Sequence, residues 1–435
     1  MRGEITRLDQ DAPRHKPTVM RLKTREIIGF ASKKAIAMAF AIPLSLLIST
    51  AAAEQALDAG AARREIRVGN VMPYSGPLSS FSSIGRAEAA YFDMINDQGG
   101  INGRRLRLIS YDDRSDPRIA LEHTRNLVER DKVLLIFGSF GTPSNLAVRP
   151  YVTGKRVPQL FVASGDQTLN APEAFPWTMG WQPLFRVEGR IYANYFSAYY
   201  PGRNIAVLWQ NDLFGRDLLE GLQESLSDGA GTIVADITFD IFDKSIDTQI
   251  DILRSSGADI LVFNGAPAMA ALALRRLAEI DWHPVLVLNN ASASIANALR
   301  PAGLQNAIGV ISTAFLKDAG DPKWKDGGDM KEWSSFMDRY YPDGDKADIN
   351  AVFGYAAAST LVEVLRKCGD DLSRENVMRQ AVSLSGFRIP LALPGIFANT
   401  SPTDFRPIKQ MRLVQFDGQT WQPIGEVIDK AFQDR

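Results

Sequence analysis

The chain holds one cysteine, Cys368, and three histidines, His15, His123 and His283. A lone cysteine excludes an internal disulfide. A structural zinc site needs several thiolates or imidazoles, and a serine or cysteine triad needs a histidine base, so both chemistries lack their parts here. A metal site built from carboxylates alone stays open. There is no excess of either charge: 49 Lys and Arg face 50 Asp and Glu, a formal net charge of −1. Nucleic-acid binders show a basic surplus, so no such partner is expected. No apolar run reaches the ~20 residues of a membrane span. No G-x-G-x-x-G follows a strand, and no P-loop, G-x-S-x-G or H-E-x-x-H motif occurs, so no enzyme and no cofactor is expected.

What is present begins with a short apolar run, Ala35 to Ile48, preceded by Lys33 and Lys34 and followed by Ala51-Ala52-Ala53. Positive flank, short apolar stretch and A-x-A ending form a secretory signal peptide, with cleavage expected after Ala53. The true start is Met1 or Met20. The mature protein is expected to be soluble in the periplasm. Residues 1–53 are thus assigned to the signal peptide and 54–64 to a linker.

From Ile66 onward strand and helix patterns alternate. Strands are expected at Ile66–Met72, Leu106–Tyr111, Val133–Phe137 and Gln159–Val162. The rhythm returns at Asn204–Leu208, Thr232–Phe239, Ile260–Phe263 and Val285–Leu288. Helical periodicity fills the gaps, for example Ile84–Gln98, Gly215–Leu226 and Ala268–Ile280. Such spacing builds βαβ units and parallel sheets. The fold class is therefore α/β, with two doubly wound lobes. From Phe315 the remaining chain is too short for a third domain. It offers helices at Ala351–Cys368 and Arg374–Leu384 and a hairpin through Asp417-Gly418. The tail must complete both lobes, which are assigned to residues 65–183 plus 314–384 and 184–313 plus 385–435.

Ligands of open α/β sheets sit beyond the carboxyl ends of strands. The loop after the third strand, Gly138-Ser-Phe-Gly-Thr-Pro-Ser-Asn145, combines glycines, hydroxyls and a helix start, which suits a carboxylate. It equally suits a tight turn with Thr142 as a helix cap. The loops Ala163-Ser-Gly-Asp-Gln167, Trp209-Gln-Asn-Asp-Leu-Phe-Gly215 and Asn289-Asn-Ala-Ser292 are the other polar mouths. On pattern alone Trp209 and Phe214 are core residues, Trp324 and Trp333 are packing residues, and His123 and His283 are surface or structural residues. The pair Asp112-Asp113 has no base or metal cluster beside it.

Several segments resemble one family. They are Pro73-Tyr-Ser-Gly-Pro-Leu78, Ile95-Asn-Asp-Gln-Gly-Gly-Ile-Asn-Gly-Arg104, Tyr111-Asp-Asp-Arg-Ser-Asp-Pro117 and Asn211-Asp-Leu-Phe-Gly-Arg-Asp217. The likeness, from about Ile66 to the carboxyl end, is to the type I periplasmic solute-binding proteins of ABC importers, in the leucine/isoleucine/valine-binding branch. That resemblance implies two lobes joined by three crossovers, closing on a small ligand without catalysis, and an inner-membrane ABC permease as partner. It implies a ligand carboxylate on Thr142 and Ser144, further contacts at Ala163, Ser164 and Gly165, and aromatic contacts from Phe81 and Phe214. It also exposes a departure. Relatives that bind branched-chain amino acids place an acid against the ligand's ammonium, whereas the matching loop here is Asn289-Asn290-Ala291. Asn289 or Asn290 can compensate in part through an amide oxygen, and Asp166 or Asp212 are the acids that could substitute. An amino-acid ligand is the first expectation, with Asn290 in contact. An aromatic or aliphatic carboxylate, or an exported sensor, is the alternative.

Overall fold

A computed structural model describes residues 64–226 and 231–429. The expected signal peptide and the linker as far as residue 63 lie outside the described residues. The first sheet is built from β1 (Glu65–Met72), β2 (Arg105–Asp112), β3 (Leu135–Phe137), β4 (Gln159–Val162) and β5 (Thr178–Gly180). Its order is β2-β1-β3-β4-β5 and every pair is parallel. The strands β3 and β4 are buried at each position, as strands covered on both faces must be. The covering helices are α1 (Ser83–Asp97), α2 (Pro117–Glu129) and α3 (Thr142–Lys155). As the Asp-Pro pair implies, the Asp116 side chain caps α2 by accepting from the Arg118 N–H, with Pro117 at the first helical position.

A second sheet holds β6 (Arg203–Gln210), β7 (Gly231–Phe239), β8 (Ile260–Asn264), β9 (Val285–Leu288), β10 (Ile311–Ala314), β11 (Met411–Phe416) and β12 (Trp421–Ile428). Its order is β12-β11-β10-β9-β8-β6-β7. The strands β6 to β10 are mutually parallel, while β11 and β12 add an antiparallel hairpin at the edge. Asp417 organises that hairpin turn: its Oδ1 accepts from the N–H groups of Gln419 (2.9 Å) and Thr420 (2.8 Å). Around this sheet pack α4 (Phe185–Tyr199), α5 (Leu213–Ser225), α6 (Asp247–Ser255) and α7 (Pro267–Glu279).

The chain passes between the lobes three times: from β5 into α4, from β10 toward the helices that follow, and finally into β11. Those helices are α8 (Gly328–Tyr340), α9 (Ile349–Lys367) and α10 (Arg374–Ala381). The long, almost wholly buried α9 returns to the first lobe and lies against α1. A side chain at Gly354 would meet the Ile84 carbonyl oxygen at 2.3 Å, and Tyr91 and Tyr355 pack edge to face at 5.0 Å. The first crossing is tied to the same helix by Trp181, whose Nε1 donates to Thr360 Oγ1 at 3.1 Å.

Four elements escape the periodicity of the sequence: β5, β10, α4 and α8. The two strands are too short to alternate, and β10 places polar Ser312 and Thr313 in the interior. In α4 a glycine and a buried glutamate interrupt the apolar face, and both are there for contacts with other elements.

Candidate functional site

The carboxyl ends of both sheets face a cavity of about 150 Å³ between the lobes. Its first-lobe wall follows β3 and β4. Two glycines turn the chain there. Gly138 has φ +62°, and a side chain on it would come within 2.0 Å of the Glu88 carboxylate. Gly141, at φ +90°, is the residue that precedes α3, so Thr142 is the first helical residue rather than the cap. The Thr142 hydroxyl lies 2.7 Å from the Ser164 hydroxyl. Both line the cavity with Ala163. The first N–H groups of a helix have no intrahelical acceptor, and the helix dipole adds positive potential at that end. A helix start of this kind can receive an anion.

Two of the expected contacts point elsewhere. The Ser144 hydroxyl donates to the buried Asp113 carboxylate at 2.9 Å, behind the first turn of α3, and Ser144 does not line the cavity. Gly165 is pressed against the first crossing. A side chain on it would meet the Pro183 carbonyl oxygen at 2.3 Å, and its own carbonyl accepts from the Phe185 N–H at 2.9 Å. Its role is to let the crossing approach. The neighbouring acids have structural work too: Asp112 accepts from the Ser75 N–H at 3.2 Å, closing the turn in which Gly76 sits at φ +88°.

The middle of the cavity is aromatic. Phe81 stacks on Phe140 with 4.4 Å between ring centroids, and Phe185 meets Phe214 edge to face at 4.7 Å. Phe81 and Phe214 both line the cavity, while Trp209 is core and does not. Phe315, Trp324, Phe353 and Trp421 also line it. Trp324 is therefore more than a packing residue, unlike the buried Trp333, which lies against Phe336 and Tyr355. Most of these rings arrive on the interlobe crossings and the helices beyond them, where no strand-end signal marks them.

Asn290 closes the second-lobe wall. Its Nδ2 donates to the Thr313 carbonyl at 2.7 Å, which fixes the orientation of the amide. Its backbone N–H donates to Glu188 at 2.6 Å. Of the two acids that could replace the missing loop carboxylate, Asp212 lines the cavity and Asp166 does not. Asp166 accepts from the Thr168 N–H at 2.8 Å. Asp212 caps α5 through the Gly215 N–H at 3.1 Å and accepts from Gln210 Nε2 at 2.6 Å; burial raises its pKa. Toward the hinge, Asp318 accepts from the N–H groups of Ile295 and Gly320, both at 2.8 Å, and burial lifts its pKa to about 6. Asp321 and Lys323 pair at 3.3 Å in the same wall.

The lobes also touch directly. The Gln167 N–H, after β4, donates across to the Asp217 carboxylate on α5 at 3.2 Å. Burial, and then the nearby Asp166 carboxylate, push the pKa of Asp217 up to about 7, with Arg186 at 3.8 Å opposing the shift. Neither described histidine takes part: His123 stacks on Tyr111 at 5.0 Å, and His283 is exposed beside Asp281. Among the described residues no group of three or more His, Cys, Asp or Glu is placed to hold a metal, and no helix is long and apolar enough to cross a membrane.

Comparison with known proteins agrees with this geometry. The family model described as periplasmic binding protein matches residues 65–420. An amino acid binding protein of Pseudomonas aeruginosa is 21% identical over 314 residues, covering 70% of this chain and 79% of its own length. The structure of a branched chain amino acid ABC transporter protein from Thermus thermophilus with bound valine superposes with a TM-score of 0.78 at 16% identity, over 85% of this chain and 97% of the other. A solute binding protein of an ABC transporter from Rhodopseudomonas palustris BisB5, in complex with 3,4-dihydroxy benzoic acid, superposes with a TM-score of 0.71 at 19% identity, over 84% and 97%.

Proposed function

The chain belongs to the periplasmic binding protein family, and from that premise we propose that it is the extracytoplasmic substrate-binding protein of an ABC importer, taking a branched-chain or other hydrophobic amino acid. In this reading the two lobes, residues 65–183 plus 314–384 and 184–313 plus 385–435, close on the ligand and present it to an inner-membrane permease. The segment before Glu54 is removed on export to the periplasm. The ligand's carboxylate rests on Thr142, Ser164 and the first N–H groups of α3. Its side chain lies among Phe81, Phe140 and Phe214, and its ammonium donates to the Asn290 amide oxygen, with Asp212 contributing negative potential.

One observation supports the reading: the start of α3, with the paired hydroxyls of Thr142 and Ser164, and the Asn290 turn line the same aromatic cavity from different lobes. A second reading, an aromatic or aliphatic carboxylate without an amine, is favoured by the absence of an acid from Asn289-Asn290-Ala291 and by the density of rings. An unpaired buried ammonium is costly.

A thermal-shift screen of hydrophobic amino acids beside their desamino analogues separates the two. A ligand that binds only the folded state stabilises it by about 2.7 kcal/mol at 100 times Kd. The amino acids are expected to raise Tm; a rise with the desamino or aromatic acids alone transfers the assignment to the second reading. Calorimetry on Asn290→Asp sharpens the choice. The variant loses the bond to the Thr313 carbonyl, so the ratio of the two affinities is the readout. A carboxylate near the ligand should raise the preference for leucine over 4-methylpentanoate roughly tenfold, on the scale of one charge-assisted hydrogen bond. An unchanged ratio would mean that residue 290 does not face the ligand's amine.

A further inference from the structure

Glu188 is an acid with an unusual place. It sits on the inner side of α4, 2% exposed, and does not line the cavity. Yet its Oε1 accepts hydrogen bonds from the Asn290 backbone N–H at 2.6 Å, the Thr313 hydroxyl at 2.8 Å and the Tyr192 hydroxyl at 2.7 Å. Asn290 and Thr313 both line the cavity. Tyr192 also reaches the Leu288 carbonyl at 3.1 Å, the last residue of β9. One oxygen from the helix that follows the first crossing thus gathers the ends of β9 and β10 at the second-lobe wall of the cavity. Asn290 is held twice: its amide by the Thr313 carbonyl and its backbone by Glu188.

We propose that Glu188 is the positioning residue of the ligand site, fixing the Asn290 turn so that its amide oxygen meets a donor group on the ligand and thereby setting the preference for amino acids over their desamino analogues. This rests on the functional reading above. The physical ground is preorganisation: an acceptor pays off only if it is held in place before the ligand arrives. Without Glu188 the Asn290 N–H loses its acceptor, while Tyr192 keeps the Leu288 carbonyl, and an N–H left unsatisfied drives rearrangement of the turn. The role is one of geometry. All three donors converge on one oxygen, which a glutamine supplies equally well. Burial raises the pKa of the carboxyl.

The test compares Glu188→Leu, which keeps bulk without an acceptor, with Glu188→Gln, which keeps the acceptor. Leucine and 4-methylpentanoate are titrated by calorimetry into wild type and both variants. Hydrogen exchange at the Asn290 amide is followed by NMR without ligand. Glu188→Leu is expected to lower leucine affinity at least tenfold while 4-methylpentanoate changes less than threefold, and to speed exchange at Asn290. Glu188→Gln is expected to restore both. Equal loss for both ligands in Glu188→Leu would show a merely structural role, and a glutamine as impaired as the leucine would show that charge acts rather than position; either overturns the proposal. A wild type that binds carboxylates but no amino acid defeats the functional reading instead. Exchange at Asn290 then still decides whether Glu188 holds the turn, since an unchanged rate in Glu188→Leu contradicts it. If Glu188→Leu does not fold, the wild type suffices: its Asn290 amide must be as protected as those of β9, and loop-like exchange overturns the proposal.

Discussion

Thr142→Val is expected to weaken ligand binding by about 1–3 kcal/mol, the scale of a hydrogen bond lost from a charged partner, or up to roughly a hundredfold in Kd. Valine preserves the shape of the first residue of α3 and removes only the hydroxyl. That hydroxyl is also the partner of the Ser164 hydroxyl at 2.7 Å, so the change disturbs both side-chain donors of the proposed anion site. The N–H groups at the start of α3 remain, and binding should weaken rather than vanish. Because the two hydroxyls touch, Thr142→Val and Ser164→Ala should not add in the double variant. Calorimetry reads all three, and wild-type affinity in Thr142→Val would remove the carboxylate from this helix.

The second large effect is on stability. Where α4 and α5 cross, their backbones touch. A side chain at Gly221 would stand 1.9 Å from the Arg186 carbonyl oxygen, and one at Gly189 would stand 2.2 Å from that of Leu218. Neither obstacle is the end of a flexible side chain, so a helix must move. Gly221→Val is expected to cost roughly 3 kcal/mol or more, the upper range for overpacked sites. Urea unfolding, as a lower midpoint at unchanged slope, measures it. The displacement also carries to the cavity, because α4 bears Phe185 and Glu188 and α5 bears Phe214. Wild-type stability would mean that the two helices are not in backbone contact.

That the loop after β3 lines the cavity was legible in the sequence because glycines, hydroxyls and a helix start follow a strand in close succession. The direction of each hydroxyl was not. Whether Ser144 faces the cavity depends on Asp113, which reaches the first turn of α3 from the end of another strand. Gly165 carries the same lesson, since its neighbour Pro183 belongs to a crossing whose path is a tertiary property. The aromatic wall was largely hidden for that reason: Phe185, Phe315 and Phe353 come together only once the crossings are laid down. Strand and helix periodicity revealed most of both sheets. It failed at α4, where Gly189 serves a helix contact and Glu188 holds a loop, both of which break the amphipathic pattern.

The central claim, that two lobes close on a small ligand, is tested most directly by solution scattering with and without a ligand found in the screen. The Gln167 N–H meets the Asp217 carboxylate between the lobes. Hinge closure of this kind is a rigid-body motion. Saturating ligand is therefore predicted to lower the radius of gyration and change the scattering profile. Superimposable curves in the two states, with binding confirmed by calorimetry on the same samples, would contradict the account.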